Sequence, residues 1–402
     1  MSIDLKKVKT NIEYLIDLTS KSNIKLTAIT KLFGCDENLI ELFEKYPQIT
    51  SYGDSRIDNL KKLSRSQKEK ILIRLPMPAE IKEVIEFADT SFNSEISTIK
   101  LLSSQAQIQN KIHNVVLMVD LGDLREGIFD ESELLATVAE VLVLKNIRLK
   151  GLAVNLMCFG GIVPDEVNLG RLCELASLIE TTFNIKLDII SGGNSSSLYL
   201  LASDFPNKTM PSKVNNLRIG DAFFTGETSF SYQFPETRRG SFKFLAQIVE
   251  LKQKPSFPVG EISVDAFGNI PIFEDKGMRL KGILAVGRQD IVVDGLIPID
   301  DKLKILGASS DHLMLDFTDS EKVYTVGDII TFEMHYAAVL QAFTSNYVHK
   351  EYLENKIRTI HVLNEPVGAT EYMKKQISTK IKQVDYNDKI RASKKNSGVK
   401  IS

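Results

Sequence analysis

Cysteine, histidine and net charge are all scarce in this chain of 402 residues, and each shortage removes a class of function. The three cysteines, Cys35, Cys158 and Cys173, are too few for a disulfide framework and lack the spacing of a zinc site. His113, His312, His335, His349 and His361 are scattered without metal-ligand spacing and read as structural or surface groups. A formal net charge of -2 offers no basic face to nucleic acid or to an anionic membrane. No apolar run is long enough to span a bilayer, and Met1-Ser2-Ile3-Asp4-Leu5-Lys6-Lys7 has no apolar leader core. With so little cysteine, the expectation is a cytoplasmic protein without nucleic-acid or membrane partners.

What is present is ordinary in amount, 43% hydrophobic and 25% charged, but strongly patterned. An amphipathic helix is expected over residues 5–20. Strands follow at 26–31, 49–52, 71–75, 90–92, 115–119, 149–154, 187–190 and 214–219, the fourth being the weakest. Helical segments at 38–46, 54–63, 79–88, 95–109, 131–144, 168–183 and 195–201 separate them. Eight strands alternating with helices within about 220 residues match a closed (β/α)8 barrel better than an open sheet. Beyond 236 the pattern changes to short β-type runs at 242–251, 270–273, 279–286, 291–293, 312–317 and 329–334, divided by Gly, Pro and Asp turns. The expected organisation is a TIM-like barrel over 1–235, a C-terminal all-β domain over 236–350, and a polar, lysine-rich, partly disordered extension over 351–402.

The stretch Leu26-Thr27-Ala28-Ile29-Thr30-Lys31 reads as a buried parallel strand that ends in a lysine. Such a lysine lies at the C-terminal edge of the sheet, where α/β proteins place their chemistry, although a lone one is usually just solvated. Two glycine-bearing loops follow the seventh and eighth strands: Ser191-Gly192-Gly193-Asn194-Ser195-Ser196-Ser197 and Arg218-Ile219-Gly220-Asp221-Ala222. Barrels often hold a phosphate between these loops, where glycine lets backbone N–H groups approach the oxygens. Tyr336 is a candidate for a further phosphate hydroxyl, and equally for a buried structural tyrosine. A phosphate facing a strand-end lysine suggests pyridoxal 5'-phosphate. Arg218 is then placed to face the ring nitrogen, where a guanidinium disfavours protonation and a carboxylate would favour it. Arg125, in Val119-Asp120-Leu121-Gly122-Asp123-Leu124-Arg125-Glu126-Gly127, is a candidate clamp for a substrate carboxylate, against the default of a surface ion pair.

Taken together these motifs resemble the alanine racemase-like family of pyridoxal phosphate enzymes, most closely its ornithine racemase branch. The resemblance runs from about Ile3 to Tyr347 and includes Thr30-Lys31, Tyr52-Gly53-Asp54-Ser55-Arg56, Asp265-Ala266-Phe267-Gly268, Gly287-Arg288-Gln289-Asp290 and Ser309-Ser310-Asp311-His312. It implies a barrel plus a β domain, in a head-to-tail homodimer with shared active sites and an amino acid as the small-molecule substrate. It makes Lys31 the Schiff-base lysine and one of two racemisation bases. Arg218 would face the ring nitrogen. Asn194, Ser195, Gly220, Asp221 and Tyr336 would hold the phosphate, and Arg125 the substrate carboxylate. Two departures stand out. The tyrosine that alanine racemases bring from the partner's β domain has no counterpart in Ser256-Phe257-Pro258-Val259-Gly260-Glu261, and a histidine after the sixth strand is replaced by Asn155. Cys158 and the partner's Asp265 are the candidates for the second base, against an inert thiol and a turn-capping carboxylate. The expected activity is racemisation of ornithine or lysine, with Asp123 or Glu126 receiving the basic side chain. A decarboxylase of the same cofactor class is the alternative. A non-catalytic cofactor carrier is disfavoured, because carriers of this fold are usually bare barrels.

Overall fold

The computed structural model describes residues 1–205, 207–228 and 232–353. The chain opens with a short strand, β1 (Ser2–Asp4), and helix α1 (Leu5–Ser20), whose first turn is capped by Asp4 accepting from the N–H groups of Lys6 and Lys7. Eight strands then close a parallel barrel: β2 (Lys25–Ile29), β3 (Ile49–Asp54), β4 (Glu69–Leu72), β5 (Thr90–Asn93), β6 (His113–Val119), β7 (Ile147–Val154), β8 (Ile189–Ser191) and β9 (Asn216–Ile219). Closure is completed by β9 lying beside β2, with Thr27 opposite Arg218 and Ala28 opposite Ile219. The weakly patterned fourth strand is present, all four of its residues buried between β4 and β6. Between the strands run α2 (Glu37–Glu44), α3 (Ile57–Lys62), α4 (Ile81–Phe87), α5 (Ile96–Ile108), α6 (Glu131–Leu142) and α7 (Glu166–Phe183), and after β9 comes the short α8 (Ala222–Thr225). Aspartates cap several of them: Asp36 on α2, Asp130 on α6 and Asp165 on α7, the last in a reciprocal capping box with Asn168.

The two faces of the barrel strands separate by their period of two. On β6, Val115, Leu117 and Val119 face outward into one apolar cluster with Leu134, Val138, Leu172 and Ile179 of the helices. Val116 and Met118 face inward and join Ile71, Phe92 and Ala153 in a second, smaller cluster. Elsewhere the interior is largely polar. Ser191 Oγ donates to Asn216 Oδ1 at 2.6 Å, Asn216 Nδ2 donates to Thr27 Oγ1 at 3.0 Å, and Thr27 and Ser51 share a 2.8 Å hydroxyl contact. One half of the barrel is therefore an apolar plug, and the other a hydrogen-bonded ladder that rises to Arg218.

The second sheet is antiparallel along β12 (Leu296–Pro298), β15 (Ile329–Met334), β10 (Phe242–Pro255), β11 (Met278–Leu284), β14 (Leu313–Asp316) and β13 (Lys304–Ala308). β1 joins it through β10, so the start of the chain completes the sheet built from its later part. Helix α9 (Tyr336–Thr344) and β16 (Glu351–Leu353), which pairs in parallel with β1, follow β15. Several details of the sequence reading are corrected here. Residues 270–273 form no strand; Ile270 and Ile272 are 74% and 95% exposed, and their alternation has nothing to bury against. The run at 291–293 leads instead into a one-turn helix, Val293–Gly295. The region read as purely β contains α9. The first three residues of the expected extension are strand; from residue 354 onward it lies outside the described residues. Among the described residues no helix is long and apolar enough to cross a membrane.

Candidate active site

The first barrel strand is shorter than its apolar run implies. It stops at Ile29, and Lys31 opens a one-turn helix, Lys31–Phe33, at the C-terminal edge of the barrel. Asp54, at the end of the neighbouring strand, marks the stop. The N–H of Thr30 makes the last ladder bond to β3, to Gly53 O at 2.9 Å, and its hydroxyl donates to Asp54 Oδ2 at 2.6 Å, which fixes where the turn begins. Asp54 is itself buried, accepting also from the Arg56 N–H at 2.9 Å and from Asn59 Nδ2 at 3.1 Å. Phe33 anchors the other end of the turn. Its ring lies 5.8 Å from Phe43, 5.4 Å from Phe224 and 6.5 Å from Phe343 of α9, so barrel and β domain meet on it. The Lys31 amine makes no hydrogen bond among the described residues. Burial lowers its pKa, partly countered by Cys158 and reinforced by Arg125. An amine so placed reaches its neutral, nucleophilic form more readily than an exposed lysine.

Arg218 is buried, and among the described residues no carboxylate bonds to it. Its Nη1 donates to Ser191 Oγ at 2.8 Å, its Nη2 to Val154 O at 2.7 Å and to Asn155 Oδ1 at 3.4 Å, and its guanidinium lies 5.2 Å from the Phe92 ring centre. Burial pulls its pKa down to about 10, so it remains a cation at neutral pH.

The loops after β8 and β9 touch where the sequence placed a phosphate. The Ala222 N–H donates to Ser195 Oγ at 3.4 Å, tying the start of α8 to the one-turn helix Ser195–Leu201. Among the described residues the backbone N–H groups of Ser195, Gly220 and Asp221 have no acceptor. Ser196 Oγ and Asp221 Oδ1 are likewise buried without partners. A Cβ on Gly220 would stand 3.1 Å from Ile29 Cβ, so any larger residue would press on β2. Asn194 is otherwise engaged: its side-chain oxygen accepts from the Ser196 N–H at 2.8 Å and its nitrogen donates to Leu156 O at 2.9 Å. Burial, followed by Glu227, pushes Asp221 up to about 6. Tyr336 stands at the head of α9, which packs on the Lys31 turn. Burial and then Asp221 push its hydroxyl up to about 12, so it is a protonated donor at neutral pH.

At the mouth, Asp123 is not available to a substrate, contrary to the sequence reading. It is buried, and its carboxylate accepts from the N–H groups of Phe159 at 2.9 Å, Ile162 at 3.1 Å and Cys158 at 3.2 Å. Burial raises its pKa, but these donors outweigh burial and hold the carboxylate below its ordinary range. Asp123 thus clamps the loop after β7 to the loop after β6, and Leu124 and Met157 on the two sides adopt left-handed backbone. The clamp brings Cys158 into electrostatic reach of Lys31 and Tyr336. Cys158 Sγ lies 3.1 Å from the side-chain amide of Asn155. Arg125 forms a two-pronged ion pair with Glu126. Asp265 sits elsewhere, in an exposed loop between β10 and β11, where its carboxylate accepts from the N–H groups of Phe267 and Asn269 at 2.9 and 2.8 Å.

Lys31, Arg125, Arg218, Cys158 and Tyr336 therefore share one mouth, and Ser195, Gly220 and Asp221 flank it. The donor set fits pyridoxal phosphate: unclaimed N–H groups for the phosphate, a buried cation without a counter-ion for the ring nitrogen, and a desolvated amine. Asp54, Ser191 and Asn155 were not given roles in the sequence reading. The first two do carry a signal, ending β3 and β8 beside Lys31 and Arg218. Asn155 had stood out only as a departure.

The model of the alanine racemase N-terminal domain matches residues 3–227. An ornithine racemase from Acetoanaerobium sticklandii is 45% identical over 354 residues, 88% of this chain and 99% of that protein. A lysine racemase from Thermotoga maritima is 33% identical over 353 residues, 87% and 97% of the two chains. In fold, an alanine racemase structure from Clostridium difficile 630 superposes with a TM-score of 0.64 at 16% identity, covering 88% of this chain and 95% of that one. A closed barrel with a following antiparallel sheet, and near-full-length similarity to racemases, lead to one conclusion: the chain belongs to the alanine racemase family and is an amino-acid racemase.

Proposed function

We propose that the protein is a pyridoxal 5'-phosphate-dependent racemase of a basic amino acid, ornithine or lysine, acting in the cytoplasm as a homodimer. Residues 1–235 serve as the cofactor-holding barrel and 236–350 as the β domain. The observation that carries the reading is the set of unsatisfied groups around Lys31: a desolvated amine, a buried guanidinium without an anion, and three open N–H groups. When bound, the cofactor supplies the carbonyl that takes up the substrate amine and spreads the charge left at Cα. The relatives named above, an ornithine and a lysine racemase, support the substrate class.

The residues divide the remaining work. Ser195, Gly220 and Asp221 present backbone N–H groups to the phosphate, with the Asn194 amide and the Tyr336 hydroxyl beside them. Arg218 faces the ring nitrogen and keeps it unprotonated. Arg125 takes the substrate α-carboxylate by exchanging it for Glu126, and the released Glu126 then meets the substrate's side-chain ammonium. Lys31 Nζ carries the Cα proton on one face. Cys158 Sγ, held in the mouth by the Asp123 clamp, carries it on the other. The partner's Asp265 is the alternative carrier, and its carboxylate would first have to leave its turn.

The test is proton exchange at Cα in heavy water with L- and D-ornithine. Lys31→Ala is expected to abolish both exchange and inversion. Cys158→Ala should slow inversion by at least about a hundredfold while exchange continues on one enantiomer. Inversion at full rate in Cys158→Ala would return the second base to the partner subunit.

A further inference from the structure

Asn155 touches four of the groups assigned above, Arg218, Arg125, Asn194 and Cys158, and no role has been given to it. It follows β7 directly and is buried. Its amide lies 3.4 Å from Arg218 Nη2, 3.1 Å from Asn194 Nδ2 and 3.1 Å from Cys158 Sγ. With its oxygen turned the other way it accepts from Arg125, with Nη1 at 2.8 Å. Whichever way the amide is turned, one uncharged group stands between two guanidiniums.

The two arginines depend on it unequally. Arg218 has shorter bonds elsewhere, to Ser191 Oγ at 2.8 Å and Val154 O at 2.7 Å, and it lies against Phe92. Among the described residues Arg125 has Glu126 on its other side, an anion adjacent in sequence that competes with the amide for it. An amide oxygen opposite a carboxylate restrains a guanidinium without neutralising it. The charge stays available to an incoming anion, and a carboxylate in the same place would consume it.

We propose that Asn155 is a positioning residue for substrate recognition: its neutral amide holds Arg125 over the mouth, against the pull of Glu126, in the orientation that receives the substrate carboxylate. The inference rests on the reading of Arg125 as the carboxylate clamp. Its failure is separable from that reading, because Arg125→Ala tests the clamp alone.

The experiment compares KM and kcat for L-ornithine, and the dissociation constant for pyridoxal phosphate, in the wild type, Asn155→Ala and Asn155→Asp. Asn155→Ala leaves Arg125 held by Glu126 alone, without the opposing amide. KM should rise about fivefold or more, with kcat within about threefold and cofactor affinity within about twofold of the wild type. Asn155→Asp has the same shape, so it keeps the test open if the alanine variant unfolds. Its carboxylate competes with the substrate for Arg125, and KM should rise at least about tenfold further. A merely structural role would move kcat, cofactor affinity and KM together and would rank the aspartate variant, the better isostere, as the milder change. Either result overturns the proposal, as does an unchanged KM in both variants. If Arg125→Ala itself leaves KM unchanged, the clamp reading falls and this inference falls with it.

Discussion

Asp221 presents an acid in the loop proposed to hold the phosphate, and its chemistry follows from its surroundings. Its Oδ1 is buried without a donor, and Glu227 adds a like charge, so its carboxyl titrates near 6 in the folded chain against 3.8 ordinarily. A raised pKa means that the folded state prefers the protonated form. The associated stability is complete below 3.8 and is lost as pH rises through about 6. At neutral pH the ionised carboxylate therefore costs about 3 kcal/mol. Asp221→Asn is expected to stabilise the protein by an amount of that order at pH 7.5 and by clearly less at pH 5. Denaturant unfolding at the two pH values measures it, and an equal gain at both would refute the assignment. The variant keeps the backbone N–H, so phosphate binding should survive it.

The element that governs the site is the single turn from Lys31 to Phe33, and its geometry is set from both ends. Asp54 holds Thr30 at one end, and Phe33 enters an aromatic cluster at the other. Phe33→Ala leaves a ring-sized cavity at a fully enclosed position and is expected to cost about 3–5 kcal/mol. Because the cavity lies two residues from the amine, activity should fall more than the loss of folded protein explains; calorimetry beside single-turnover kinetics separates the two. At this scale sequence and structure agree where periodicity is long. Helix α1 lies where its spacing put it, and every barrel strand is present, because a face buried along its whole length leaves a regular trace. Agreement fails in the β domain. There α9 is short, and Ile270 and Ile272 stay exposed, so local pattern and local structure part.

Across the whole molecule, the loops around the mouth carry apolar side chains that nothing in one subunit covers. Leu124 is 66% exposed, Phe129 75%, Phe159 75% and Val163 48%. An apolar rim around a catalytic mouth is the surface a symmetric partner would bury. If this rim is the contact of the proposed homodimer, Phe159→Asp is expected to give a monomer where the wild type sediments as a dimer in analytical ultracentrifugation, and to lower racemisation with it. A variant that stays dimeric and fully active would place the subunit contact elsewhere.

By itself the sequence determined the order of strands and helices, the switch to β structure after the barrel, and the three groups that depend on strand ends, Lys31, Arg218 and the Gly220 loop. These follow from period and from the rule that barrel chemistry collects at the C-terminal edge, both of which are local properties of the chain. Tertiary structure alone decided that Asp123 is a clamp, that Arg125 answers to Glu126, and that Asn155 lies between two arginines. Each of those depends on which side chains from separate loops arrive within hydrogen-bond distance, and a polar residue in a loop reads the same in sequence whatever partner it meets.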